Sequence, residues 1–444
     1  MILNSVLKKL VKTGDLTVTD WKGRVARYGN GGTPKSHVKF NSFGGAMKIA
    51  MDPDLQLGEA YMSGDLQVLE GSLYDFLELL LINTGNGSRN MNSTTVWHKL
   101  AYQARITTRR LTQRNTESRA KKNTQVHYDL SGALYELFLD KDKQYTCAYF
   151  EHENSTLEEA QLAKKRHVAA KLDIKPGMTV LDIGCGWGGL GLYLAEVCGA
   201  KVTGVTLSEE QQAVAVARAK ERGMEDVAQF KLMDYRHVTE KFDRIVSVGM
   251  FEAVGVGHFK EFFSKVSELL KPNGTVLVHS INRADGPGAT GAWINKYIFP
   301  GGYIPALSEV MPDLERHGLY VTDIEILRMH YARTLREWTK RFMANWDKAK
   351  ALYDERFCRM WEFYLVSSEL SFRYISMNNF QIQFAHDQHY LPLTRDYMFA
   401  EETRLAKIEA KSKHYNAKAI YPDVVKAAKK VAAPKKAAKK AKKK

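Results

Sequence analysis

A glycine-rich junction between an apolar strand and an apolar helix most constrains the fold of this chain. Residues 180–189 read V-L-D-I-G-C-G-W-G-G, with glycine at nearly every other position after the strand. Glycine tolerates positive φ and has no side chain to exclude a ligand, so this loop can turn sharply and lie against a cofactor. The following helix presents its first amide groups to the same place. The pattern predicts a strand–loop–helix unit that binds a nucleoside-type cofactor.

The sequence around this loop alternates between strand and helix patterns from about residue 165 to 300. Such alternation is typical of an α/β fold with a doubly wound parallel sheet. A helical region rich in aromatic residues follows at 335–374, and we expect most of these aromatics to be core. We predict strands at 179–183, 201–205, 228–232, 242–248 and 274–279, and helices at 190–198, 208–222 and 259–270.

The first 90 residues predict a small, separate α+β unit. Strands are expected at 15–18 and 37–40, and an apolar helix at 73–82. No cluster of chemically reactive residues lies in this unit, so we expect it to position a substrate or a partner. The predicted domains are an N-terminal unit at 1–90, a basic linker helix at 91–123, a catalytic domain at 124–415 and a disordered Lys/Ala-rich tail at 416–444.

The positive charge of the chain is concentrated in two segments. The formal net charge is +15, and ten lysines follow Asp423 with no acidic residue among them. A second basic cluster lies at 105–122. Polybasic segments are attracted to anionic membranes, so we expect adsorption to a phospholipid bilayer surface. A solvated basic helix is the alternative for 105–122, and a disordered solubilising tail is the alternative for the C-terminal segment. Specific nucleic-acid binding is not expected, because no recognised binding module accompanies the charges.

Cysteine spacing and hydropathy indicate the compartment. The cysteines at 147, 185, 198 and 358 form neither a CxxC pair nor a zinc-site pattern, so we expect no disulfide and no metal. No run of about 18 apolar residues is present, so no transmembrane helix is expected. These features predict a cytoplasmic protein that associates peripherally with the inner face of the membrane.

The spacing of the loop glycines discriminates between cofactors. A dinucleotide site favours G-x-G-x-x-G with an acidic residue ending the next strand, whereas here Gly184, Gly186 and Gly188 alternate and Asp182 lies on the strand itself. This arrangement favours S-adenosylmethionine, with Asp182 near its sulfonium and amino groups. Ribose binding then falls to Thr206 or Gln211. Asp234 is placed either to accept from the adenine amino group or to cap a turn.

Four motifs in order closely resemble those of the cyclopropane-fatty-acyl-phospholipid synthases and the related mycolic acid cyclopropane synthases. The likeness covers about residues 124–400, and the N-terminal unit also looks like the lipid-binding domain of the bacterial phospholipid enzymes. It implies a Rossmann-like class I methyltransferase sheet with a helical substrate-covering insertion. The motifs are D-I-G-C-G-W-G-G at 182–189, G-V-T-L-S at 204–208, D-R-I-V-S-V-G-M-F-E at 243–252 and Y-I-F-P-G-G at 297–302.

The resemblance implies transfer of a methylene group from S-adenosylmethionine to a cis double bond of a phospholipid acyl chain. It also implies a bound bicarbonate ion as the base that removes a proton. The family match assigns the bicarbonate cradle to Cys147, Glu252, His279 with the main chain near Ile281, and Tyr331, and it adds Tyr145 and Thr146 to the cofactor contacts. The family's bacterial members also imply a possible homodimer.

Two positions depart from the family pattern. Ser368 stands where a cysteine is frequent, so we expect it to line the acyl pocket without a thiolate role. Ala253 replaces a common histidine after Glu252 and could alter the orientation of that carboxylate. The alternatives are a methyltransferase giving methyl- or methylene-branched acyl chains, a small-molecule methyltransferase, and a non-catalytic lipid-binding module.

Overall fold

The computed structural model describes residues 2–84, 105–107 and 132–416. Most of the predicted basic linker helix and almost all of the predicted tail lie outside these ranges. Two sheets organise the described chain, one of four strands in the N-terminal unit and one of seven strands in the catalytic domain.

The N-terminal unit is a four-stranded sheet in the order β2-β1-β3-β4 with four helices. β1 is antiparallel to β2 but parallel to β3, so β1 and β3 end at the same edge. The strands predicted at 15–18 and 37–40 are present, whereas β2 and β4 were not predicted because both are largely exposed and lack clear alternation. The elements are α1 Ile2–Leu10, β1 Asp15–Thr19, β2 Val25–Gly29, β3 Lys35–Phe40, α2 Phe43–Met51, α3 Pro53–Ser63, β4 Leu66–Glu70 and α4 Leu73–Thr84.

The catalytic sheet has the order β10-β11-β9-β8-β5-β6-β7. Strands β5 to β9 run parallel, which confirms the predicted α/β fold class. Two further strands extend the sheet beyond β9. β11 pairs antiparallel with β9, and β10 pairs antiparallel with β11. The strands are β5 Thr179–Ile183, β6 Lys201–Thr206, β7 Ala228–Leu232, β8 Phe242–Val248, β9 Leu270–Arg283, β10 Tyr320–Ile326 and β11 Met377–Ala385.

Helices cover the sheet and continue into the aromatic-rich region predicted at 335–374. Short 3₁₀ turns at Tyr235–His237 and Phe251–Ala253 follow β7 and β8. The helices are α5 Gly132–Glu136, α6 Leu157–Leu172, α7 Gly189–Cys198, α8 Glu209–Glu221, α9 Phe259–Leu269, α10 Ala292–Tyr297, α11 Leu307–Arg316, α12 His330–Ala344, α13 Trp346–Leu352, α14 Glu355–Tyr374 and α15 Asp396–Glu409. No helix within the described ranges has both the length and the apolarity needed to cross a bilayer.

The N-terminal unit packs on the helical cover of the catalytic domain. Tyr61 of α3 donates a hydrogen bond to Glu362 of α14, and the Tyr374 hydroxyl donates to Glu78 of α4 (2.7 Å). Trp293 of α10 lies directly against Gly58. One hydrophobic core runs continuously from the N-terminal sheet to helices α12 and α14. The unit is therefore part of the wall that holds these helices over the catalytic sheet.

Candidate functional site

The glycine loop after β5 has the open geometry that the sequence predicts. Gly184, Gly186 and Gly188 have φ of 81°, 53° and 79°, all in the left-handed region. A Cβ on Gly184 would lie 2.7 Å from Met250 Cβ, and one on Gly188 would lie 2.9 Å from Ala215 and Phe230. A Cβ on Gly186 would meet no protein atom within 4 Å. The loop is thus fixed by packing at its ends and open in its middle, where a ligand can approach the backbone.

Asp182 places a buried carboxylate beneath this loop. The residue is 2% exposed, and its Oδ2 has no hydrogen-bond partner among the described residues. Burial raises the pKa of Asp182 to about 7, although the nearby Lys164 ammonium opposes the rise. A buried acceptor without a partner is costly unless a ligand satisfies it. The site therefore fits the cationic amino-acid end of S-adenosylmethionine.

Thr206 and Gln211 meet at the end of β6. The Thr206 hydroxyl donates to Gln211 Oε1 (3.2 Å), and it also accepts from the Ser208 amide (3.2 Å). Both residues are buried at the same sheet edge as Asp182, because β5 and β6 are parallel neighbours. The structure thus brings together the two residues predicted to contact the ribose.

Asp234 is engaged by its own chain. Its carboxylate accepts from the Arg236 backbone amide (3.0 Å) and pairs with the Arg236 guanidinium (2.6 Å), so it caps the 3₁₀ turn Tyr235–His237. Burial raises the pKa of Asp234, but the Arg236 hydrogen bonds outweigh burial and hold it below the ordinary value. The cap expected as one alternative is present. The adenine contact stays a prediction, since it would share these oxygens with Arg236.

The segment with Tyr145, Thr146 and Cys147 crosses the carboxyl edge of the sheet. Gln161 of α6 donates to the Thr146 carbonyl (3.0 Å), and Thr334 of α12 accepts from the Ala148 amide (3.0 Å). A Cβ on Gly249, just after β8, would lie 2.6 Å from Thr146 Cγ2. The segment is therefore held against the strand ends on one side and against helices on the other.

Cys147 is a buried, protonated thiol. Its Sγ donates a weak hydrogen bond to the Ala148 carbonyl (3.4 Å), and burial raises its pKa far above the ordinary value. A thiol in this state is a poor nucleophile. Cys147 can contribute shape and a weak donor to an anion site, but not a thiolate.

Lys164 is a site residue that the sequence reasoning missed. It is 1% exposed, and within the described residues its ammonium makes one hydrogen bond, to Thr146 Oγ1 (2.6 Å). Its charge acts on Asp182, Cys147 and His279. Burial lowers the pKa of Lys164 to about 8. The helical sequence around it looks like an ordinary solvated face, so only packing reveals that this lysine lies inside the site.

Glu252 is the middle residue of the 3₁₀ turn after β8, and its two carboxylate oxygens differ in their hydrogen bonding. Oε1 accepts from the Ile281 amide (2.7 Å), whereas Oε2 is buried without a hydrogen-bond partner in the described chain. Burial raises the pKa of Glu252, and the Ile281 amide only partly opposes the rise. The Ile281 amide, which the resemblance assigns to the bicarbonate cradle, thus donates to Glu252 here, and Oε2 is left as an acceptor for a ligand proton.

His279 lies beside two amide side chains of β11. Its Nδ1 lies 3.1 Å from Gln381 Nε2 and its Nε2 lies 3.3 Å from Asn379 Nδ2, both on β11. Burial, followed by the charges of Lys164 and Lys171, lowers its pKa to about 3, so the ring is neutral. Donation from His279 to an anion stays a prediction, because a neutral ring has a single N–H and both ring nitrogens have an amide side chain beside them. Asn379 and Gln381 were missed because β11 was not predicted.

Aromatic rings enclose the remaining side of the site. The Tyr145 and Tyr364 hydroxyls are 2.7 Å apart, and the Tyr331 ring packs on Trp338 and Phe372 with centroid distances of 5.8 and 4.9 Å. Ser368 lies four residues after Tyr364 and four before Phe372 on α14, so the three share one helical face. Ser368 is therefore placed beside the rings that contact Tyr145 and Tyr331.

No group of three or more metal-binding side chains occurs in the part of the chain that the structure describes. The basic cluster at 105–122 is described only at 105–107, where Arg105 pairs with Asp54 of α3. The proposed adsorbing segments otherwise lie outside the described residues.

Comparisons with known proteins identify relatives of both parts of the chain. Residues 115–382 match the family model for mycolic acid cyclopropane synthetase, and residues 2–92 match a domain of unknown function. Cyclopropane-fatty-acyl-phospholipid synthase of Escherichia coli K12 is 37% identical over 338 residues, covering 76% of this chain and 85% of its own length. Tuberculostearic acid methyltransferase UfaA1 of Mycobacterium tuberculosis is 35% identical over 341 residues, covering 74% of this chain and 78% of its own length.

A solved structure supports the same relationship. Mycolic acid cyclopropane synthase CmaA1 complexed with SAH and CTAB superposes with a TM-score of 0.55 at 34% identity. The match covers 60% of this chain and 97% of that chain.

Proposed function

Because this chain belongs to the mycolic acid cyclopropane synthetase family of S-adenosylmethionine-dependent methyltransferases, we propose that it forms a cyclopropane ring at the cis double bond of a phospholipid acyl chain. The relatives include other fatty acid methyltransferases. Family membership therefore leaves the substrate and the product open, and these two are what we propose. The residues expected around the reacting carbon atoms support this substrate and this product.

The methyl donor fits the open loop and the buried carboxylate. Gly186, Asp182, Thr206 and Gln211 would hold its nucleoside and amino-acid parts, with Tyr145 and Thr146 across the opening. When bound, S-adenosylmethionine supplies an electrophilic methyl group, which a double bond attacks to leave a carbocation on the acyl chain. The protein must then keep water out and tolerate this charge.

The aromatic side of the site supports such a cation. The hydroxyls of Tyr145 and Tyr364 meet, and the ring of Tyr331 packs on Phe372. We expect the acyl chain to lie beside these rings. A ring face attracts a nearby cation by about 0.5–2 kcal/mol. Burial of the surrounding tryptophans also excludes water, which would otherwise capture the cation as an alcohol.

The single observation that carries ring closure is the unpartnered Oε2 of Glu252. Bicarbonate, when bound, would supply the base that removes a proton from the added methyl group. Glu252 can accept the hydroxyl proton of that ion while the Ile281 amide fixes its other oxygen. Lys164 supports the same site, because a buried anion needs a positive charge nearby and His279 is neutral. A methylene branch would also need a proton removed from the added carbon, after a hydride shift, whereas a methyl branch would need a hydride added to the cation by a reductant. The base site therefore favours ring closure over a methyl branch, and product analysis separates ring closure from a methylene branch.

Branched-chain formation is the second candidate, favoured by the similarity to tuberculostearic acid methyltransferase UfaA1. Both reactions share the first carbocation and differ in its fate. The experiment is to incubate the purified chain with S-adenosylmethionine and vesicles of monounsaturated phospholipid, then analyse the released fatty acids by mass spectrometry and proton NMR. High-field cyclopropane signals are expected. A methyl branch supports the second candidate, and the absence of any transfer rejects both.

We also propose that the chain is a homodimer that reaches its substrate by adsorbing to an anionic phospholipid surface, with the lysine tail as one contact. The tail lies outside the described residues, so its role rests on charge alone. Co-sedimentation of a version truncated after Asp423 with anionic vesicles tests it. Unchanged binding of the truncated version would eliminate the tail as a membrane contact.

A further inference from the structure

An apolar surface lies exposed at one edge of the N-terminal sheet. Val25, Phe43 and Met51 are 65%, 51% and 63% exposed. Trp21 and Met47 are partly exposed. We call these five residues the edge patch. None of them takes part in the site described above.

The topology explains why these residues gather. β1 and β3 are parallel, so the chain leaves both strands at the same sheet edge. Trp21 follows β1 and Phe43 follows β3, and their rings meet edge to face at 5.1 Å. The shared edge therefore brings two large aromatic side chains together at the protein surface.

Helix α2 is apolar on both of its sides. Its inner side, with Ala46, Ile49 and Ala50, is buried in the core of the N-terminal unit. Its outer side carries Phe43, Met47 and Met51 at four-residue intervals, one above the other. A helix that serves only its own core would carry polar residues on this outer side. The outer side therefore fits an apolar environment that the described chain does not provide.

Positive charges border the edge patch. Lys22 and Lys48 are exposed, and neither forms an ion pair within the described ranges. Arg24 is paired with Asp20 (2.7 Å), which also accepts from the Lys22 amide and so fixes the turn beside Trp21. Apolar and aromatic side chains flanked by lysine match the boundary between acyl chains and anionic headgroups.

We propose that the edge patch is a membrane-docking surface that inserts into the headgroup region of an anionic phospholipid bilayer. The inference rests on the proposed function, because it supplies the contact through which an enzyme acting on bilayer acyl chains would be held at the surface. It is separate from the lysine tail, since it combines apolar insertion with only two unpaired charges. Binding through the edge patch should therefore resist salt better than binding through the tail.

A second copy of this chain is a less suitable occupant. In a two-fold interface the same patch faces itself. Lys22 and Lys48 of one copy would then approach the lysines of the other around the shared axis, with repulsion between like charges. An anionic surface satisfies the same lysines.

The test compares the full chain with the double variant Phe43→Ser/Met51→Ser in co-sedimentation with vesicles containing anionic phospholipid. Each protein is measured at low salt and at about 0.5 M salt. At the higher concentration the screening length is about 4 Å, so the attraction between the lysine tail and the anionic vesicles is largely screened. The matched control is Leu393→Ser/Phe399→Ser, which removes two exposed apolar side chains from another surface. All four positions are exposed, so folding should be retained, and circular dichroism checks it.

We expect the edge-patch variant to lose about tenfold or more of its vesicle affinity at high salt, while the control binds as the unmodified chain does. Equal binding of all three proteins would overturn the proposal. A change from dimer to monomer in sedimentation velocity, with unchanged vesicle binding, would also overturn it and assign the patch to a second copy. Binding is measured without the methyl donor, so failure of the proposed chemistry shows separately, as normal vesicle binding without product.

Discussion

Replacement of Lys164 by methionine should stabilise the fold and damage the reaction. Lys164 is 1% exposed, and burial lowers its pKa from 10.5 to about 8. One pKa unit corresponds to about 1.4 kcal/mol, so the ammonium costs the folded state about 3 kcal/mol at neutral pH. Loss of the hydrogen bond to Thr146 lowers the stability of the variant by about 1 kcal/mol and so offsets part of this gain. We therefore expect Lys164→Met to raise the free energy of unfolding by about 2 kcal/mol at pH 7.

The stability gained by Lys164→Met should depend on pH. The folded chain releases the Lys164 proton from about pH 8, whereas the unfolded chain holds it to about pH 10.5, so the unmodified protein gains stability across that interval. The advantage of Lys164→Met should accordingly shrink as pH rises from 8 to 10.5. Urea unfolding midpoints at several pH values measure it, with unchanged slopes required for the comparison.

The functional half of this prediction is a loss of turnover of at least tenfold, because the variant removes positive charge beside Asp182, Cys147 and His279. Lys171→Met is the matched control: it removes a buried lysine of the same helix that is ion-paired with Glu325, so it should lower stability. A Lys164→Met protein that is less stable than the unmodified chain at pH 7, or that keeps full turnover, would refute this account of Lys164.

Three further outcomes follow from other contacts. Glu252→Gln keeps an acceptor for the Ile281 amide but loses the Oε2 acceptor, so turnover should fall about 10²–10⁴-fold with unchanged calorimetric affinity for S-adenosylmethionine; near-normal turnover would remove Glu252 from the mechanism. Asp182 has a pKa of about 7, so the donor affinity should rise between pH 6 and 7.5 as the carboxylate ionises, and Asp182→Asn should flatten this profile; a parallel rise in the variant would exclude Asp182 as its source. Gly58→Ala would place a Cβ 2.4 Å from Trp293 Nε1 and should cost about 1–3 kcal/mol in denaturant unfolding, whereas full stability would mean that the two helices separate without loss.

The predicted elements nearest the cofactor were found, because local patterns specify them. Alternating apolar strands and helices gave β5 to β9 and the helices between them, and loop glycines gave the turn after β5. β10 and β11 were not predicted, since β11 pairs with β9 about 100 residues away in sequence. Pairing between segments so far apart in sequence produces no recognisable pattern within either segment. His279 was therefore placed correctly on β9, but its neighbours Asn379 and Gln381 on β11 were not foreseen.

Sequence by itself identified this chain as an S-adenosylmethionine-dependent methyltransferase. Glycine spacing, Asp182 and the family motifs identified a methyl-donor site, because the backbone conformation of a loop and the charge of a side chain depend on residue type. Tertiary structure decided which of these groups are buried and which are paired. It enclosed Lys164 among the strand ends, left Glu252 Oε2 without a partner and exposed the outer side of α2, since burial and pairing depend on segments that meet only after folding.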